Sequence, residues 1–274
     1  MDFSDRIAVI TGAASGIGRG LAERAHARGM KLVLADRDAG PLASLAASLP
    51  GAMAVPTDVA DEAAVRALAD AAWGAFGGVD YLFNNAGIMA TGYIWEIEPA
   101  RWDASINVNV KGILHGIRAF VPRMIEQKRG HVVNTASVGG FSASPLMAPY
   151  SVTKFAAVAL TESLHAELAM IGAPVKVSLL APGPVKTGIF DNPFGDIRNP
   201  AAERFVADLR HMLDTYGLEP GPFADKVFDA LADGLFWIVP QPEAMDPMLK
   251  ARTETILARK TPEFVWNGGD PVPR

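Results

Sequence analysis

Seven short stretches of this 274-residue chain are almost continuously apolar: 6–11 (RIAVIT), 31–36 (KLVLAD), 52–57 (AMAVPT), 79–84 (VDYLFN), 131–136 (HVVNTA), 175–181 (VKVSLLA) and 235–240 (LFWIVP). Short runs of this kind, without strict alternation, predict strands covered on both faces, as in a parallel sheet. Between them the apolar spacing lengthens to three and four, which predicts amphipathic helices over 17–28, 62–76, 100–127, 149–171, 201–216 and 242–259. Alternating strands and helices predict an α/β fold with a doubly wound, mostly parallel seven-stranded sheet. No repeat, low-complexity block or linker divides the chain, so 1–274 is expected to be one domain.

The pattern changes after the sixth strand. Residues 191–200 are rich in Asn, Pro, Gly and Asp, and Phe205, Leu209, Met212, Leu213 and Tyr216 then fall on one helical stripe. Gly217 is expected to end that helix as a C′ glycine. A helix hung between two loops suits either a substrate lid over 190–220 or a permanently docked core helix. Residues 261–274 form a tail with Pro and Gly but also Phe264, Val265 and Trp266, either packed on a neighbour or disordered.

Charge and composition narrow the function. A net charge of −5 argues against a nucleic-acid surface, and no apolar run approaches the ~18 residues of a membrane span. The acidic start, MDFSDR, is not a secretory signal, and a cytoplasmic protein is expected. Cysteine is absent, which removes disulfides, thiolate catalysis and Cys-ligated zinc. Histidines 26, 115, 131, 165 and 211 form no i, i+4 pair, and no metal is expected.

Candidate chemistry lies at the ends of the strands. The first strand runs into Gly12-Ala13-Ala14-Ser15-Gly16-Ile17-Gly18, where glycines let backbone N–H groups approach a pyrophosphate at a helix N-terminus. The context, strand before and helix after, predicts a dinucleotide site of Rossmann type. Asp36 ends the second strand, 24 residues beyond Gly12, where a carboxylate holds the ribose hydroxyls of NAD and repels the 2′-phosphate of NADP. Arg37 follows and suits that phosphate, so the cofactor is expected to be NAD, with NADP possible. Asp58 and Val59 follow the third strand and either edge an adenine or cap the next helix. Asn85, Ala86 and Gly87 follow the fourth strand. Asn107 and Asn109 sit inside a helical pattern they do not favour, which predicts a local break with Asn109 holding a water.

Ser137 follows the fifth strand, and Tyr150 and Lys154 lie one helical turn apart. A fixed ammonium beside a phenol favours the phenolate, which is expected to bring Tyr150 toward the working range of a general acid/base. Apolar residues near the sheet's carboxyl edge, Tyr93, Phe141, Met147 and Phe190 among them, suggest a hydrophobic substrate pocket.

The chain resembles the short-chain dehydrogenase/reductase family from about residue 6 to 187. TGAASGIG resembles the family's cofactor turn and NNAG its fourth-strand motif. Asn109, Ser137, Tyr150 and Lys154 match the catalytic tetrad. Pro182-Gly183-Pro184-Val185-Lys186-Thr187 matches the segment that meets the nicotinamide carboxamide. The resemblance implies hydride transfer between NAD(H) and an apolar, aromatic or alicyclic, secondary alcohol or ketone. It also implies a role for Lys154 on the nicotinamide ribose, and a homo-oligomer, tetramer or dimer, formed through the helices at 100–127 and 149–171. The alternatives are an NADPH-dependent ketone reductase and, in another class, a non-catalytic nucleotide sensor, which would have no need of the tetrad.

Overall fold

A computed structural model describes residues 2–191, 193 and 199–262; the tail beyond 262 and most of the loop at 191–200 lie outside the described residues. All seven apolar runs are strands: β1 Ile7–Thr11, β2 Lys31–Asp36, β3 Met53–Pro56, β4 Tyr81–Asn84, β5 His131–Thr135, β6 Lys176–Leu180 and β7 Trp237–Ile238. They pair in parallel in the order β3-β2-β1-β4-β5-β6-β7. The last run shortens to two residues because only Leu179↔Trp237 and Leu180↔Ile238 pair at that sheet edge.

The helices are α1 Gly16–Ala27, α2 Ala39–Ser48, α3 Glu62–Phe76, α4 Pro99–Ile106, α5 Gly112–Glu126, α6 Ala148–Met170, α7 Pro200–Tyr216, α8 Pro220–Ala232 and α9 Pro242–Leu257. Successive residues of β1 and β2 serve opposite layers. Ala8, Ile10, Leu32 and Leu34 pack with α1, α2 and α8, while Ile7, Val9, Val33 and Ala35 pack with α3, α5 and α6. Two-sided burial is why these strands carry no polar alternation.

The single helix expected over 100–127 is two. Asn107–Lys111 form a π-helical segment between α4 and α5, at the asparagines that the helix disfavours. Gly217 corrects a second expectation. Its φ of −69° and ψ of 137° are extended, not left-handed. Glycine is needed there for room, because a Cβ would overlap the Leu213 carbonyl oxygen.

From β1 the chain builds outward to β3 and then crosses back to place β4 beside β1. That reversal opens a crevice beyond the carboxyl ends of β1 and β4, the usual ligand position in such sheets. No helix among the described residues is long and apolar enough to cross a membrane.

Candidate active site

The glycine turn is built by close backbone approach. A Cβ on Gly12 would lie 2.8 Å from the Ala86 Cα, and one on Gly18 would overlap the Gly12 carbonyl oxygen. Gly12 and Gly16 both take positive φ, 65° and 49°, which a side chain would strain. Ser15 caps α1 with no side-chain capping bond, so its exposed hydroxyl remains available at the helix N-terminus beside Ile17.

Asn85 braces this turn from β4, its amide donating to the Thr11 carbonyl at 3.0 Å. The Asn85 and Ala86 N–H groups donate to Thr11 Oγ1 at 3.0 and 3.2 Å. Asp36 braces it from β2, accepting from the Ala14 N–H at 2.9 Å and the Asp38 N–H at 3.1 Å. Arg37 is two-thirds exposed and lies 3.8 Å from Asp38. Asp58 is not the cap of α3. It accepts from the Ala60 N–H at 2.9 Å, while Asp61 caps the helix through Ala63. Val59 packs into the core, and its carbonyl lies 2.9 Å from His115 Nδ1.

Asn109 is fully buried in the π segment, and its amide is committed to protein partners. It donates to the Ile88 carbonyl at 2.9 Å and to Thr153 Oγ1 at 3.0 Å, and accepts from the Ile88 N–H at 2.8 Å. The side chain therefore clamps the loop after β4 to α6. These bonds use both donors and one of the two acceptor positions of the amide, which leaves one on Oδ1 for a water. Gly87, on the same loop, would place a Cβ 3.5 Å from both Asn109 Oδ1 and Lys154 Nζ.

Tyr150 and Lys154 enter from the first turns of α6, and Ser137 from the end of β5. Ser137 and Tyr150 meet at Gly139, where a Cβ would lie 3.6 Å from the Ser137 hydroxyl and 3.3 Å from the Tyr150 ring, and Ser137 Oγ accepts from the Gly139 N–H at 3.1 Å. Lys154 is 4% exposed, and its ammonium donates to the Thr135 carbonyl at 2.9 Å, 5.6 Å from the centre of the Tyr150 ring. Burial governs both groups. It pushes the Lys154 ammonium down to about 8, and it pushes the Tyr150 phenol up against a smaller lowering by the Ser137 hydroxyl. The phenol is therefore raised, not lowered as the Tyr–Lys spacing predicts. Desolvation outweighs a cation that is aimed at a carbonyl.

Val185 occupies the segment after β6. An isolated parallel bridge joins it to Leu218, with the Leu218 N–H donating to the Pro184 carbonyl at 3.1 Å and the Lys186 N–H to the Leu218 carbonyl at 3.0 Å. Backbone direction alternates along an extended chain, so the N–H and C=O of Val185 point away from Leu218. Pro182 accepts from the Val138 N–H at 3.0 Å, which ties the segment to the Ser137 turn. A Cβ on Gly16 would sit 3.0 Å from the Thr187 methyl, so Thr187 lies directly against the glycine turn.

The phenol faces apolar side chains. Met89, Met147, Phe190, Phe205, Val206 and Leu213 form one buried cluster, and Tyr150 packs against it with Leu209 and Met212. Met147 and Phe190 thus join Tyr150, whereas two other expected pocket residues do not. Tyr93 stacks on exposed Trp95 at 4.9 Å, and Phe141 meets Trp237 edge-on at 5.9 Å in a separate cluster. Met89 was not singled out from sequence. Its signal was its place two residues beyond Gly87, on a strand's carboxyl-end loop. A cavity of about 700 Å³ opens on the outer side of Gly16 and Thr187, between α1, α7 and α8, and does not reach Tyr150.

A family model for short chain dehydrogenases matches residues 6–196. An uncharacterized oxidoreductase of Staphylococcus aureus (strain MW2) is 42% identical over 189 residues, 68% of this chain and 81% of that protein. Among solved structures, a short chain dehydrogenase/reductase from Burkholderia phymatum in complex with NAD is 38% identical, covers 100% of both chains and has a TM-score of 0.91. A 3-ketoacyl-(acyl-carrier-protein) reductase from Brucella melitensis complexed with NADH is 30% identical over 86% of this chain and 96% of that one, with a TM-score of 0.76.

Proposed function

Since the chain belongs to the short-chain dehydrogenase/reductase family, we propose that it is an NAD(H)-dependent oxidoreductase interconverting an apolar secondary alcohol and its ketone. The observation that carries this reading is the convergence of Ser137, Tyr150 and Lys154 at the sheet's carboxyl edge, with the phenol packed against a wholly apolar cluster.

The residues fit a dinucleotide. Glycine at 12, 16 and 18 lets the turn close against Ala86, Thr187 and its own backbone, which leaves the N-terminus of α1 free to take a pyrophosphate. Asp36 suits the adenosine ribose hydroxyls, and the Val185 backbone groups and the Thr187 hydroxyl suit the nicotinamide amide. When bound, the cofactor supplies the hydride acceptor or donor and, in its oxidised form, a positive charge.

Tyr150 gives its proton to the carbonyl oxygen in reduction and takes the hydroxyl proton in oxidation. A phenol raised by burial is neutral at pH 7, so Tyr150 already holds the proton that reduction requires. Ser137 donates to the same substrate oxygen as charge grows on it. Lys154 holds the nicotinamide ribose and keeps a positive charge near the phenol. Asn109 sets the loop after β4 against α6. The stripe of α7 closes over the phenol as a lid, excluding water from the reacting atoms.

The deciding experiment measures NADH absorbance across a panel of aryl and alicyclic secondary alcohols and ketones, for the natural chain and for Tyr150→Phe. The variant is expected to lose at least about 10³-fold in kcat while binding NADH nearly as before. Retention of most of kcat would remove Tyr150 from its role.

A further inference from the structure

Gln241 follows β7 and caps α9, outside every motif described above, yet it is 4% exposed. Its Nε2 donates to the Pro184 carbonyl at 2.7 Å. A carbonyl only accepts, so this contact fixes which end of the amide faces Pro184. The other end, Oε1, is buried without a hydrogen-bond partner among the described residues. It lies 3.0 Å from where a Gly183 Cβ would stand, and the Cβ atoms of Gln241 and Ala244 lie 3.2 Å from the same point. The missing side chain at Gly183 is thus what lets the start of α9 sit against the segment after β6.

From this contact we infer that Gln241 is a positioning residue for hydride transfer. Its amide holds the back of Pro182–Pro184 and so sets where the Val185 backbone groups present themselves to the nicotinamide. The backbone of the segment is held at Pro182 by the Val138 N–H and at Pro184 and Lys186 by Leu218. Gln241 supplies the side-chain hold, and it does so from an element distant in sequence. An unsatisfied buried oxygen is a cost that packing alone would not retain. A methionine of similar length would fill the same space without it. That the fold keeps the amide points to the one bond it makes. The inference rests on the NAD(H) oxidoreductase reading.

The test compares the natural chain with Gln241→Met in three measurements: melting temperature, NADH fluorescence on titration, and kcat on the best ketone of the panel. Methionine forfeits one hydrogen bond but also removes the orphan oxygen, so the melting temperature should move little. The nicotinamide end should sit less firmly, giving a five- to tenfold lower kcat and a weaker fluorescence enhancement. The dissociation constant for NADH should change less than threefold, because the adenosine half is held elsewhere. A purely structural role would lower the melting temperature and leave kcat per folded site unchanged. Should Gln241→Met prove insoluble, Gln241→Asn withdraws the donor from Pro184 while keeping the amide, with the same expectation. Unchanged kcat and enhancement in a folded variant overturn the inference alone. A natural chain that neither binds NADH nor turns over any ketone overturns the reading beneath it.

Discussion

Replacing Lys154 with methionine should make the protein more stable and inactive, and the gain should vanish with rising pH. The magnitude follows from burial. The ammonium falls from an ordinary 10.5 to about 8 in the fold, so carrying its charge there costs about 3 kcal/mol at neutral pH. Methionine removes that cost but leaves the Thr135 carbonyl without its 2.9 Å donor, a loss of about 1 kcal/mol. The net gain is about 2 kcal/mol, or about 4–8 °C in melting temperature for a chain of this size. The pH sign is fixed by linkage. Above pH 8 the folded lysine sheds its proton while the unfolded one keeps it to about 10.5, so the unfolded state binds more protons and the natural chain gains stability as pH rises. The gap between variant and natural chain should therefore be widest at pH 6–7 and close to zero near pH 9.5. Melting curves at half-unit pH steps, by circular dichroism and at constant ionic strength, measure it. A gap that is negative at pH 7, or that does not change between pH 7 and 9.5, would show that Lys154 does not bear a desolvated charge.

Three further outcomes follow from the site. Reduction needs a neutral Tyr150, whose phenol burial raises above its ordinary 10, so kcat for ketone reduction should show no loss from phenol ionisation below that value, whereas oxidation should climb through pH 6–9; a reduction limb that requires phenolate would contradict the assignment. Asp36→Ala removes both the charge proposed to hold the adenosine ribose and the anchor on Ala14, and leaves exposed Arg37 beside it. The ratio of kcat/KM for NAD over NADP should fall by about 10²-fold, two hydrogen bonds and a repulsion in all, and a natural chain that prefers NADP would show that Arg37 prevails instead. Amide exchange across α7 should slow when NADH and a ketone are bound together, since a lid is protected by its ligand; equal, strong protection with and without them would make α7 a fixed part of the core.

The sheet was legible because each strand is buried on both faces and carries its own apolar run, and the break in the 100–127 helix was legible because Asn107 and Asn109 disfavour the state around them. The same kind of signal existed for α8 and went unused. Phe223, Val227, Phe228 and Leu231 fall on one helical face, behind a Pro-Gly-Pro start that resembles a loop. Tyr93 and Phe141 illustrate a different limit. Loop residues have no periodicity, so nothing local tells whether an aromatic ring turns toward Tyr150 or toward Trp95 and Trp237.

The site's electrostatics were hidden for a more general reason. Spacing on a helix places Lys154 near Tyr150, but the pKa of each depends on what the tertiary fold removes from water. Here apolar side chains from α7 and from the loops after β4 and β5 enclose the phenol, while the Thr135 carbonyl draws off the ammonium. Enclosure acts on the two groups in opposite directions, up for the acid and down for the cation, because it penalises whichever form is charged. The site thus pairs a neutral phenol with a lysine that still keeps its proton at pH 7 but holds it weakly. On the proposed reading, the proton that reduction needs is therefore already on Tyr150, and ionising the phenol for oxidation at neutral pH would draw on the Lys154 charge, held 5.6 Å from the ring centre.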